Sequence, residues 1–174
     1  MISGKFWTGI GSRSCPWDLK ADMQEIAMTL EIRGYTLRSG NAEGCDQNFA
    51  SGVDSLAQIW LPWPSFNIEF QKQHPKHTYK VISENDIEAI ESVNKFHPAP
   101  HLLSRGARAM HQRNFRQVKG GKLPNSEFVI CWTPNGEEKG GTATAIKIAK
   151  SLDIPVYNLF DLTKQEILDK VLPQ

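Results

Sequence analysis

Arg38-Ser39-Gly40-Asn41-Ala42-Glu43-Gly44-Cys45-Asp46-Gln47-Asn48-Phe49 leaves the short apolar segment Tyr35-Thr36-Leu37-Arg38, passes two glycines and enters a stretch of helical character. A strand, a glycine-rich turn and a helix N-terminus together can present backbone N–H groups to a phosphate. Gly40 and Gly44 permit backbone angles and close approaches that a side chain would block, and Glu43 and Asp46 suit either ribose hydroxyls or a helix cap. The stretch is equally compatible with an ordinary strand-to-helix turn, so its neighbours decide what it means.

Upstream, Phe6-Trp7-Thr8-Gly9-Ile10 reads as a buried strand that empties into Gly11-Ser12-Arg13-Ser14-Cys15-Pro16, a second small-residue turn, here carrying a cation. Leu19, Met23, Ile26, Ala27 and Leu30 then recur at helical spacing from about Asp18 to Gly34. Downstream, a helix is expected from about Glu43 to Leu56, weakened at Gly52, followed by the strand Ala57-Gln58-Ile59-Trp60-Leu61-Pro62. Residues 63–80 carry prolines, histidines and aromatics without a period and read as an irregular excursion. Ser83-Glu84-Asn85-Asp86 starts a helix over Ile87 to Lys95. Glu127-Phe128-Val129-Ile130-Cys131-Trp132 is a strong strand, and it leads to a third glycine turn, Lys139-Gly140-Gly141-Thr142-Ala143-Thr144, with a helix behind it. Ile154 to Leu159 is a last strand, and Thr163 caps a last helix.

Alternation of strand and helix predicts one α/β domain over residues 1–174, Rossmann-like, with an open, mainly parallel sheet covered on both faces. Ligands of such sheets gather at the carboxyl ends of the strands, where the three glycine turns should meet. The chain has 174 residues, 40% of them hydrophobic, and a formal net charge of +1, so no global field draws it to nucleic acid or an anionic membrane. Cys15, Cys45 and Cys131 form no CxxC pair and suggest neither a disulfide framework nor a zinc site. They fit a cytoplasmic protein. Neither a leader at Met1-Ile2-Ser3-Gly4-Lys5 nor a membrane-spanning run is expected. His74, His77, His97 and His101 lack metal-ligand spacing, so no metal and no cofactor are expected.

The segment from His101 to Lys122 holds Arg105, Arg108, Arg113, Arg116, Lys119 and Lys122 and no acid. A helical projection puts Arg105, Arg108, Arg116 and Lys119 on one side and Ala107, Met110, Phe115 and Val118 on the other, with Arg113 at the border. Most of these cations read as a solvated face, Arg113 excepted. His111 falls on the apolar side and reads as a core or interface histidine.

Gly11-Ser12-Arg13 and Ser39-Gly40-Asn41-Ala42-Glu43-Gly44-Cys45-Asp46 resemble signatures of the DNA-processing protein A family. Met110-His111-Gln112-Arg113-Asn114 and Gly140-Gly141-Thr142-Ala143-Thr144 resemble those of the LOG nucleotide phosphoribohydrolases. Both groups belong to the SLOG superfamily, and short phage-encoded proteins of this kind also share the pattern. The resemblance implies a Rossmann-like fold, a homo-oligomer, and a nucleotide or phosphoribosyl-containing small-molecule ligand, with cleavage at an N-glycosidic bond as the LOG chemistry. Its alternative is a non-catalytic module for a nucleotide signal or single-stranded DNA, resting on Arg13, Arg38 and the basic helix. Where LOG enzymes continue into glutamates, this chain has Ala145, Ile146 and Lys147. The expected phosphate or nucleotide contacts are Gly11, Ser12, Arg13, Ser39, Gly40, Asn41, Gly44, Gly140, Gly141, Thr142 and Thr144. The candidate catalytic residues are Arg113, Glu43 and Asp46.

Overall fold

Apolar alternation along β1 (Lys5–Gly11) and β5 (Val129–Trp132) sends successive side chains to opposite faces, and two separate cores result. Trp7, Phe128 and Ile130 pack on one face with Leu37, Phe49 and Ile59; Ile10, Val129 and Cys131 pack on the other. In the computed structural model, which describes residues 4–173, β1, β2 (Tyr35–Ser39), β3 (Ala57–Leu61), β4 (Thr78–Val81), β5 and β6 (Val156–Asn158) form one sheet. Its order is β4-β3-β2-β1-β5-β6 and every neighbouring pair is parallel. The Rossmann-like reading therefore holds, with a sixth strand that the sequence did not announce. Met1-Ile2-Ser3 lies outside the described residues, and with it most of the stretch read for a leader. Among the described residues no helix is long and apolar enough to cross a membrane.

Helices α1 (Lys20–Ile32), α2 (Cys45–Ala50) and α7 (Lys164–Val171) build the first core; α4 (Ile87–Phe96), α5 (Arg105–Val118) and α6 (Gly141–Ser151) build the second. The strand order reverses at β1 and β5, because β2 to β4 extend to one side of β1 while β5 and β6 lie on the other. That reversal opens a crevice at the carboxyl ends of β1 and β5.

Three expectations are corrected. Residues 63–80 are not an irregular excursion: they contain α3 (Ile68–Gln73) and most of the edge strand β4. Thr78, Tyr79, Lys80 and Val81 are exposed or half-buried, so the apolar alternation that reveals an inner strand is missing. The helix expected to reach Leu56 stops at Ala50 because Gly52 lies against the α1 backbone, where a Cβ would sit 2.3 Å from the Gln24 carbonyl oxygen. Arg38, expected to serve single-stranded DNA, is fully buried: it donates to Gln58 Oε1 (2.8 Å) and the Pro124 carbonyl (2.7 Å) and stacks 3.8 Å from the Phe6 ring centroid.

Gly52→Ala is expected to lower stability by about 1–3 kcal/mol, since the obstacle is backbone. Gly141→Ala, whose Cβ meets nothing within 4 Å, should stay within roughly 0.5 kcal/mol. Denaturant midpoints of the two variants check the contrast.

Candidate functional site

The loop after β1 is pinned from three directions, which fixes where its side chains go. Ser12 N–H donates to the Trp132 carbonyl (3.1 Å), the Ser12 carbonyl accepts from Cys45 N–H (3.2 Å), and Gly11 N–H donates to Asp46 Oδ1 (3.2 Å). Gly11 has no room for a side chain, as a Cβ would lie 2.5 Å from the Trp132 carbonyl oxygen and 2.6 Å from Cys45 Sγ. Gly44, at φ 84°, combines the left-handed region with close approach to the Ser12 and Arg13 carbonyls.

A cavity of about 550 Å³ opens between this loop, α5 and the start of α6. Gly11, Ser12 and Arg13 line it from β1; Met110, His111, Arg113, Asn114 and Gln117 from α5; Gly140, Gly141 and Thr142 from α6; and Ala42 and Asp46 from the loop and helix after β2. Thr133, Glu137 and Lys139 complete the wall after β5.

Two of the three glycine turns therefore reach the cavity in the expected way, and the third mostly does not. Ser39, Gly40 and Asn41 lie outside its lining. Ser39 Oγ donates to the Gly9 carbonyl (2.6 Å), Asn41 Nδ2 to the Phe66 carbonyl (2.9 Å), and Gly40 packs so closely that a Cβ would lie 2.0 Å from Gln117 Nε2. Gly44 is also absent from the lining, and the adjoining N–H groups of Cys45 and Gln47 are bonded to Ser12 and Ala42. This turn is thus a packing device, and the phosphate contacts expected at Ser39, Gly40, Asn41 and Gly44 are not available there. Gly11 lines the cavity with its amide already committed to Asp46. Glu43 is exposed and faces a separate shallow depression beside Gln47 and Asn67, away from the other two candidate catalytic residues. Thr144 sits behind the wall, its hydroxyl 3.1 Å from His111 Nδ1.

The α6 N-terminus differs from that of α2. Gly140 occupies the cap position at φ 72° with no side-chain cap and no acid in the first turn, and Asn114 Nδ2 donates to the Gly141 carbonyl (2.8 Å). Thr142 and the backbone around it thus offer the positive end of the helix to the cavity. Arg13 is exposed and forms no ion pair among the described residues.

At the cavity floor Arg113, 3% exposed, donates through Nη1 to the Gly40 carbonyl and through Nε to Asn114 Oδ1 (3.0 Å), with its guanidinium 5.4 Å from the Phe66 ring centroid. Burial brings its pKa down to about 10, so it stays charged at neutral pH. Burial pushes the Asp46 carboxyl up to about 6, against the pull of Arg113 and of backbone donors. His111 is shifted down by burial, then by His97 and Arg113, and so is held neutral. Expected as a core or interface histidine, it is half-buried in the cavity wall. His111, Asn114 and Gln117 share the helical stripe of Ala107 and Met110, and polar residues on that stripe were the signal that it faces more than a core.

The expected basic face is largely spent. Arg116 forms a two-pronged pair with Asp86 (2.6 and 2.7 Å), Lys119 pairs with Glu88, Arg105 with Glu84, and Arg108 donates to the Pro100 carbonyl (2.7 Å). The acids come from α4 and the loop before it, which is why a scan of residues 101–122 alone finds a patch.

Against solved structures, one similarity stands out. The fold matches DNA processing protein A from Helicobacter pylori. The TM-score is 0.70 at 15% identity, over 98% of this chain and 81% of that one, and the structure is described for the single-stranded DNA binding mode of that protein. No protein-family model and no curated protein matches the chain.

Because folding raises the Asp46 carboxyl above its ordinary value, the folded state holds this proton more tightly than the unfolded chain. The stability this contributes is full below the ordinary value and is lost as pH rises through about 6. Relative to Asp46→Asn, the wild type should lose roughly 3 kcal/mol across that window. Urea midpoints of both proteins from about pH 4 to 7.5 would show the wild type losing stability relative to Asp46→Asn as pH rises; parallel curves would contradict a buried titrating Asp46.

Proposed function

We propose that the cavity between the Arg13 loop, α5 and the α6 N-terminus binds a nucleotide or a phosphoribosyl-containing small molecule, as a SLOG-type domain would. The carrying observation is the exposed Arg13, with no ion pair among the described residues, on the same cavity as a helix N-terminus without a side-chain cap. Two independent positive features with unused donors suit a phosphate, whose oxygens accept several charge-assisted hydrogen bonds. The volume supports a mononucleotide-sized guest, since small-molecule sites run from roughly 300 to 1,000 Å³. Arg113 and Asp46 at the floor suit the ribose, and Gln117, whose side-chain amide has no hydrogen-bond partner among the described residues, adds a donor and an acceptor.

Should the ligand be cleaved, Asp46 is the acid to examine. A carboxyl with a pKa of about 6 divides between proton donor and carboxylate near neutrality, the range in which acid and base catalysis works best.

A second reading, single-stranded DNA binding, is favoured by the structural likeness to a protein described as binding it. With the α5 cations paired or buried, it would rest on very few phosphate contacts around Arg13.

Calorimetric titration with a panel of nucleoside 5′-monophosphates separates these readings. The small-molecule reading expects saturable binding that Arg13→Ala weakens by about tenfold to a hundredfold, with base release, if any, lost in Asp46→Asn. The strand reading expects oligonucleotide binding with a shallow salt slope of roughly −0.7 per contacted phosphate. Absence of binding to every member of the panel, or binding that ignores Arg13→Ala, would overturn the first.

A further inference from the structure

A second cavity of about 460 Å³ lies on the opposite flank of α5, bounded by the segments that follow β3 and β4. One wall is Trp63, 38% exposed and packed edge-on against Phe66 with ring centroids 5.3 Å apart. Facing it, α5 carries Gly106, where an added Cβ would meet nothing closer than Trp63 at 3.8 Å. Gly106 is the second residue of α5, and its lack of a side chain leaves the indole open on that side. Gln112, one and a half turns on, is 5% exposed, and its carboxamide has no hydrogen-bond partner among the described residues; it lines the same cavity. Arg105, Arg108 and Glu84 also line it, Arg105 paired with Glu84 and Arg108 donating to the Pro100 carbonyl (2.7 Å).

We infer that this second cavity binds a nucleobase. An exposed indole gives a stacking surface that any base can use, worth about 1–3 kcal/mol per base. The Gln112 carboxamide supplies a donor and an acceptor side by side, the complement of a base edge, from a buried position that otherwise leaves both without protein partners. Arg105 is tied only to the exposed Glu84, a weak surface pair, and so remains available to a phosphate attached to that base. An aliphatic guest would leave the Gln112 carboxamide without a partner, and a bare anion would leave the indole unused. The site uses none of the residues assigned to the first cavity, so it stands or falls separately from the reading given there.

The base can come from a free nucleotide or from a single strand, and three ligand classes tell them apart: nucleosides, their 5′-monophosphates, and dT and dA oligonucleotides of increasing length. The readout is the indole N–H resonance of Trp63 in two-dimensional NMR, assigned by its loss in Trp63→Phe. A saturable shift is expected, weakened about tenfold to a hundredfold in Gln112→Leu and Gly106→Leu and unchanged in Arg13→Ala. Gly106→Ala, which the space admits, is expected to keep the fold and to weaken binding less than Gly106→Leu. Tighter binding of the monophosphates than of the nucleosides, with no further gain as the oligonucleotide lengthens, identifies a free-nucleotide site, whereas affinity that rises with oligonucleotide length and falls with salt identifies a strand. The proposal is overturned if no class shifts Trp63 at millimolar concentration, if the shift survives undiminished in both Gly106→Leu and Gln112→Leu, or if Arg13→Ala removes it.

Discussion

A single buried guanidinium, that of Arg113, holds together the parts from which the crevice is made. It comes from α5, bonds the carbonyl of Gly40 at the end of β2, steadies Asn114, and lies over the ring of Phe66. Asn114 in turn bonds the first turn of α6. A hydrogen bond to a charged group contributes about 1.5–3 kcal/mol, and breaking it here would leave a buried charge uncompensated. Gly40 must be glycine so that this guanidinium can come close, with a Cβ there only 2.4 Å from Nη1. The second-strand turn that looks most like a phosphate loop in the sequence is therefore occupied by the protein's own cation.

Asp46 complements this arrangement through charge and backbone donors rather than through an ion pair. No ion pair joins Asp46 to Arg113 among the described residues, and the carboxylate bonds instead to the N–H groups of Gly11 and Ala42. The carboxyl thus links the β1 and β2 loops while Arg113 links β2 to α5 and α6. Burial raises one pKa and lowers the other, each toward neutrality, as expected for charges withdrawn from water and incompletely paired. Pairs of groups driven toward neutral pH in this way cluster in functional crevices.

Much of the architecture was legible because inner parallel strands are continuous apolar runs between turn residues. β1, β2, β3 and β5 announce themselves in that way, and the edge strand β6 is marked by the apolar residues Ile154 and Val156 around Pro155. β4 does not, because an edge strand with one covered side needs little apolar content, and Thr78 and Lys80 are exposed or half-buried. At the site, Arg13, Gly140, Gly141 and Thr142 could be found from the turn chemistry that follows a strand. Glu43 and Asp46 could not be separated, since three residues decide whether a side chain at a helix start points into the crevice or out to Asn67. The pairing of the α5 cations was hidden for a related reason. A run of cations is a patch only if no acids face it, and Asp86 and Glu88 arrive from another helix. Sequence distance hides what the fold brings together.

The direction of α6 sets the electrostatic character of the crevice. The positions after Thr144, where related signatures continue into glutamates, hold Ala145 and Ile146, both packed in the second core, and Lys147, which is exposed. No carboxylate therefore stands on that helix to offset its positive end, and Glu137, the acid on that wall, is taken up by Lys139. With Arg13 on one wall, the α6 N-terminus on another and Arg113 beneath, the field in the crevice favours anions from three sides. Asp46 is the one buried acid among the lining residues, and it enters from the α2 side. The acid and the helix end thus stand on opposite flanks of the crevice, which separates its negative group from its positive ones.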